Sequence, residues 1–179
     1  MLGGIGTFVG WNGKNDAGER ERAALVIYNQ ITENTDIKRD TLINLVGHSH
    51  GGNVMILVAN MLSGGGYSNI NLLTLETPVR DDYKLESSGV KHTQLYSNRD
   101  WVQTLGGGFE FGLTSTWTLG MHQYSSAKNI DTTMQTQFYL SKTNTYQTIV
   151  SNSGGFAPCP YHQMSRSVNY ILEALGYDK

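Results

Sequence analysis

Leu42-Ile43-Asn44-Leu45-Val46-Gly47-His48-Ser49-His50-Gly51 runs directly into Gly52-Asn53-Val54-Met55-Ile56-Leu57-Val58-Ala59-Asn60-Met61-Leu62. The first five residues are an apolar run of strand length, and the last eleven an apolar-rich run of helix length. A serine at the tip of so sharp a strand-to-helix bend takes a strained backbone, and its neighbours two before and two after must be small. Gly47 and Gly51 meet that need. The helix expected from about Gly52 to Leu62 points its N–H groups and positive dipole end at the serine hydroxyl. The pattern therefore predicts a nucleophile elbow, with Ser49 as nucleophile and the His50 N–H as an oxyanion donor.

Upstream, Thr7 to Val9 reads as a short buried strand, followed by the polar loop Gly10-Trp11-Asn12-Gly13-Lys14-Asn15-Asp16. A helix is expected from about Ala17 to Glu33, with Ala23, Ala24, Val26, Ile27 and Ile31 as its apolar stripe and Glu19 to Arg22 on the wet side. Asn34, Thr35 and Asp36 end it. Downstream, Gly64-Gly65-Gly66 stops the helix after the elbow, and Ile70 to Leu75 and His92 to Ser97 read as further strands. Strands separated by helical or long connections predict a parallel, doubly wound α/β sheet, whose ligands bind beyond the carboxyl ends of the strands. From Gly106 to Pro160 a Gly-, Thr-, Ser- and Asn-rich stretch with scattered aromatics predicts a loop and β-rich elaboration, in which Gln135 to Leu140 and Tyr146 to Val150 read as strands. Its aromatics suit an apolar wall or lid over a site, and equally a core. Gln163 to Leu175 reads as the last helix, with Met164, Val168, Ile171, Leu172 and Leu175 on one stripe.

The 179 residues, 39% hydrophobic and 16% charged, suit one domain, 1–179, with a core of its own. A net charge of −2 with scattered signs offers nucleic acid no basic stripe. The single Cys159 leaves no internal disulfide framework. No signal-peptide pattern opens the sequence and no run of about 20 apolar residues occurs, so a cytoplasmic protein, or a domain delivered as part of a larger secreted one, is expected.

A serine is a poor nucleophile at neutral pH, so a histidine must take its proton and an acid must hold that histidine. In this fold the chain order is nucleophile, acid, histidine. Asp100 lies just beyond the strand ending near Ser97, two strands after the nucleophile, and is the expected acid; capping a turn is its plainer alternative role. Glu76, Asp81 and Asp82 come one strand earlier and rank below it. His162, after Pro158-Cys159-Pro160-Tyr161 and before the last helix, is the expected base, with His122 as runner-up. His48 and His50 are expected to support the elbow, and His92 to be a solvated or capping residue. The backbone N–H of Trp11 or Asn12 is the candidate second oxyanion donor.

With Ser49, Asp100 and His162 in that order, the chain resembles the α/β-hydrolase superfamily. Trp11-Asn12-Gly13-Lys14-Asn15, Arg20, the Ala23-Ala24 helix and Val46-Gly47-His48-Ser49-His50-Gly51-Gly52-Asn53-Val54 look like its lipase-like members. The resemblance spans roughly Thr7 to Val102 and the last helix. It implies a three-layer fold with helices on both faces of a mainly parallel sheet. It also implies cleavage of lipid or other acyl esters without a cofactor or metal, with peripheral membrane contact in a lipase-like role. Only one strand precedes the nucleophile strand, which implies a small version of the fold or one truncated on its N-terminal side. Similar domains occur in bacterial Rhs-type and other polymorphic toxins, which would bring an inhibitory partner protein. Two other functions compete: a non-catalytic interaction module, and a metal-dependent hydrolase built on the His48-x-His50 pair.

Overall fold

The computed structural model describes residues 16–106, 122–135 and 137. Among these residues the elements run, in chain order, α1 (Ala17–Glu33), β1 (Ile43–His48), α2 (His50–Gly64), β2 (Ile70–Leu75), β3 (Lys91–Tyr96), α3 (Trp101–Gly106) and β4 (Lys128–Asp131). The four strands form one sheet in the order β1-β2-β3-β4, parallel throughout. This is the expected α/β fold with a parallel sheet. All four carboxyl ends lie along one edge.

The Asp16 side chain accepts the Glu19 N–H at 2.9 Å and starts α1, and Glu19 adds a negative charge to the first turn. The expected stripe needs two corrections. Arg20 is fully buried, whereas Val26 is 45% exposed. At 100° per residue, Arg20, Ala24, Ile27 and Ile31 share one face, and Val26 falls about a third of a turn away. Tyr83 accommodates the buried guanidinium: Arg20 Nε donates to the Tyr83 hydroxyl at 2.6 Å, and the guanidinium carbon lies 4.9 Å from the Tyr83 ring centre.

Helix α2 carries Val54, Ile56, Val58, Ala59 and Leu62 inside the core, packed on β1 and β2 on one side and against α1 on the other. Its end is a left-handed cap: Gly66 has φ +86°, and the Gly65 and Tyr67 N–H groups return to the Met61 and Leu62 carbonyls at 2.9 and 3.0 Å. Strand β1 alternates, with Ile43, Leu45 and Gly47 buried and Asn44 and Val46 exposed on the opposite face. Truncating Leu62, which has no exposed surface, removes three carbons from the packed core. Leu62→Ala is expected to lower stability by about 3 kcal/mol, read from urea unfolding.

The chain from residue 76 to 90 has no helix. The Asn60 side chain ties it to α2 by donating to the Lys84 carbonyl at 2.8 Å and accepting the Glu86 N–H at 3.0 Å. Strand β4 falls inside the stretch expected as loop and β-rich, and it joins the main sheet by pairing with Thr93–Tyr96. Gln135, expected to begin a strand, is helical together with residues 133, 134 and 137. The Thr7 to Val9 strand, the Tyr146 to Val150 strand and the Gln163 to Leu175 helix lie outside the described residues.

Candidate active site

Ser49 joins β1 to α2 with φ 54° and ψ −134°, a region that side-chain-bearing residues seldom enter. The turn is held from both sides. The Ser49 N–H donates to the Leu75 carbonyl at 2.9 Å, extending the ladder to β2, and the Ser49 carbonyl accepts the Gly52 N–H at 2.9 Å. A serine preceding a helix usually spends its hydroxyl on the helix cap. Here Ser49 makes no side-chain cap hydrogen bond. His50, half-buried, is the first residue of α2, where backbone N–H groups have no partner within the helix.

Close packing at the bend explains two of its glycines. A Cβ at Gly47 would stand 2.5 Å from the Gly51 carbonyl oxygen and 2.6 Å from the Gly52 Cα. A Cβ at Gly52 would fall 1.8 Å from Thr77 Oγ1. The N-terminus of α2 thus rests directly on the chain leaving β2.

Asp100 is fully buried just after β3, and its Oδ1 accepts the Val102 and Gln103 N–H groups at 3.0 and 3.2 Å. It caps α3, a helix that the sequence pattern did not reveal. This is the capping role that was the plainer alternative for Asp100.

Gln103, unmarked in the sequence, links these parts. Its Nε2 donates to the Thr77 carbonyl at 2.8 Å, beside the Gln94 Nε2 at 3.1 Å, and its Oε1 lies 3.0 Å from His122 Nδ1. With the amide nitrogen committed to Thr77, the amide oxygen is the acceptor and His122 Nδ1 carries the proton. Burial pulls the His122 pKa below its ordinary value, opposed by the Asp100 and Asp131 charges and a backbone hydrogen bond at Ser97. His122 therefore sits near Asp100, with Nδ1 bonded to a neutral amide. His162, Trp11 and Asn12 lie outside the described residues.

His92 is not the solvated or capping residue expected. β3 starts at Lys91, one residue earlier than the pattern suggested, which places His92 opposite Leu72 on the inner face. Its Nε2 donates to Thr74 Oγ1 at 2.7 Å, Thr74 in turn donates to Gln94 Oε1, and the ring packs against Tyr124 at 5.0 Å. Tyr124, whose pKa burial raises, shares its one O–H between the Pro78 carbonyl at 3.1 Å and Asn53 Oδ1 at 3.2 Å.

Burial lowers the His92 pKa from 6.5 to about 4. Between those values the unfolded chain binds a proton that the folded chain refuses, so stability rises with pH across this window and is complete above pH 6.5. The contribution is about 3 kcal/mol. Urea midpoints at pH 4.5 and 7.5 are expected to differ less in His92→Gln than in the native chain. Equal differences would contradict a neutral buried imidazole.

His48, 31% exposed, turns its Nε2 to the fully buried Glu76 carboxylate at 3.2 Å, so one member of the His48-x-His50 pair is engaged. Among the described residues no group of three His, Cys, Asp or Glu side chains could hold a metal ion, and no helix is long and apolar enough to cross a membrane. Asp81 and Asp82 are exposed and pair with Lys84 and Arg80. No family model, no curated protein and no solved structure matches this chain.

Proposed function

We propose that this chain is a serine hydrolase that cleaves carboxylic esters, those of lipids or other acyl compounds, through an acyl-enzyme on Ser49. The reading includes the three-layer α/β-hydrolase arrangement of lipase-like proteins. The observation that carries it is the backbone of Ser49: φ 54° at a strand-to-helix bend, with a hydroxyl that does not cap the helix it precedes. Strain of about 1 to 3 kcal/mol at a residue other than glycine persists where the surroundings enforce it, and such sites cluster where chemistry is done.

In this reading Ser49 Oγ attacks the ester carbonyl while a histidine takes its proton, and the alcohol leaves with that proton. Water, activated by the same histidine, then releases the acid. The His50 N–H and an N–H from Trp11 or Asn12 hold the oxyanion. Asp100 is the acid. The base is assigned to His162, which follows β4 in the chain as the order nucleophile, acid, histidine requires. His122 Nδ1 already serves Gln103, so His122 is given a positioning role.

Turnover of p-nitrophenyl esters of two to sixteen carbons tests both assignments. His162→Ala is expected to lower kcat by on the order of 10⁴-fold or more, and His122→Ala by about 10-fold. The reverse ranking would make His122 the base. No turnover of any ester by the folded native chain would favour a non-catalytic module.

A further inference from the structure

Among the described residues, two other than glycine have positive φ: Ser49 at 54° and Glu76 at 50°. They are neighbours in space. His48 pairs with Leu75 in the parallel register, so Ser49 and Glu76 each stand one residue beyond the end of adjoining strands. The Ser49 N–H reaches the Leu75 carbonyl at 2.9 Å, and the Glu76 N–H reaches the Leu95 carbonyl at 2.8 Å. The chain is thus bent out of strand conformation twice, side by side, along the edge where the nucleophile sits.

A glycine would take the bend at residue 76 without strain. What glutamate adds is a carboxylate, fully buried and 3.2 Å from the imidazole of the residue before Ser49. By strand alternation His48 shares the sheet face of Asn44 and Val46, away from α2. The next residue after Glu76 works on the other face: Thr77 packs on Gly52 so closely that no Cβ fits there, and its carbonyl is gripped by Gln94 and Gln103. Gln103 in turn donates its backbone N–H to Asp100.

We propose that Glu76 and His48 are positioning residues for Ser49: their hydrogen bond holds residue 76 in its left-handed bend, which fixes Thr77 against Gly52 and so sets the N-terminus of α2 relative to the serine. This rests on the hydrolase reading above. Neither residue needs to touch substrate. Loss of the pair lets the bend relax and moves the His50 N–H away from the developing oxyanion, so the chemical step slows while ester binding is kept.

The test compares kcat and KM for p-nitrophenyl butyrate, and the rate of fluorophosphonate labelling, in the native chain, Glu76→Gln, Glu76→Gly, His48→Leu and His48→Gln. Glu76→Gln and His48→Leu are expected to lower kcat and the labelling rate by about 10- to 100-fold with KM within twofold. His48→Gln keeps an N–H donor for the carboxylate and is expected to recover most of the rate. Glu76→Gly is informative whatever happens to folding in the others. It relieves the backbone, so its melting temperature should equal or exceed the native value, and yet its rate should fall. A Glu76→Gly chain that melts as late as the native one and reacts as fast would overturn the proposal while leaving the hydrolase reading intact. So would a His48→Gln chain as slow as His48→Leu. A native chain that is neither labelled nor active would overturn the hydrolase reading and this proposal together.

Discussion

Ser49→Ala is expected to reduce ester turnover by on the order of 10⁴- to 10⁶-fold while leaving the protein folded. The size of the loss follows from the role: without Oγ no acyl-enzyme forms, and the remaining oxyanion donors can assist only direct attack by water. The retained fold follows from the geometry. Ser49 makes no side-chain cap hydrogen bond to α2, and alanine meets the same backbone restriction at φ 54° as serine does. Unfolding free energies of the native chain and Ser49→Ala are expected to differ by about 1 kcal/mol at most. Ser49→Gly, which removes the strain, is expected to be more stable by about 1 kcal/mol and equally inactive. Gain of stability with loss of activity at one residue is what a strained nucleophile predicts, and a serine of purely structural use does not.

Gly47→Ala is expected to destabilise the fold by about 3 kcal/mol or more, read as a lowered urea midpoint. The added methyl would meet the Gly51 carbonyl oxygen at 2.5 Å and the Gly52 Cα at 2.6 Å. These are backbone atoms of the first turn of α2, which is itself pressed on Thr77, so nothing nearby can swing aside. Relief requires moving α2 off β1, which would open the core around Val54 and Leu45. Activity should fall with stability here, in contrast to Ser49→Gly, where the two move in opposite directions.

The sequence exposed the elements whose residues agree with each other. Asp16 and Asn34 bound α1 at the expected residues, and the Ile70–Leu75 strand falls where its apolar run lies. Gly-His-Ser-His-Gly marked the bend because glycine is the residue that the bend demands. What stayed hidden depended on partners distant in the chain. Arg20 is inside because Tyr83, 63 residues later, accepts a hydrogen bond from its Nε and offers a ring face. Nothing local to Glu19-Arg20-Glu21-Arg22 reports that. Strand β4, Lys128-Asn129-Ile130-Asp131, has poor strand formers and exists because Tyr96 and its neighbours hold it. The Thr132 N–H closes on the Tyr96 carbonyl at 2.8 Å, and the Asn129 side chain folds back on Tyr124.

The candidate site divided in the same way. Ser49 and Asp100 were legible from their places after strands, a rule of topology. The Glu76–His48 bond was not, because it depends on a left-handed residue at the end of β2 and on a one-residue register between neighbouring strands. Gln103 was invisible for a related reason: α3 is a short helix of six residues, and the importance of Gln103 lies in the carbonyl of Thr77 and the ring of His122 that it joins. His92 was read as the end of a strand, whereas it lies inside β3 opposite Leu72, on the buried face.

The most direct measurement is intact-mass analysis of the folded native chain after incubation with a fluorophosphonate, followed by peptide mapping. The account predicts a single adduct on the peptide carrying Ser49, absent from Ser49→Ala. A folded native chain that gains no adduct, or one whose adduct persists in Ser49→Ala, would contradict it.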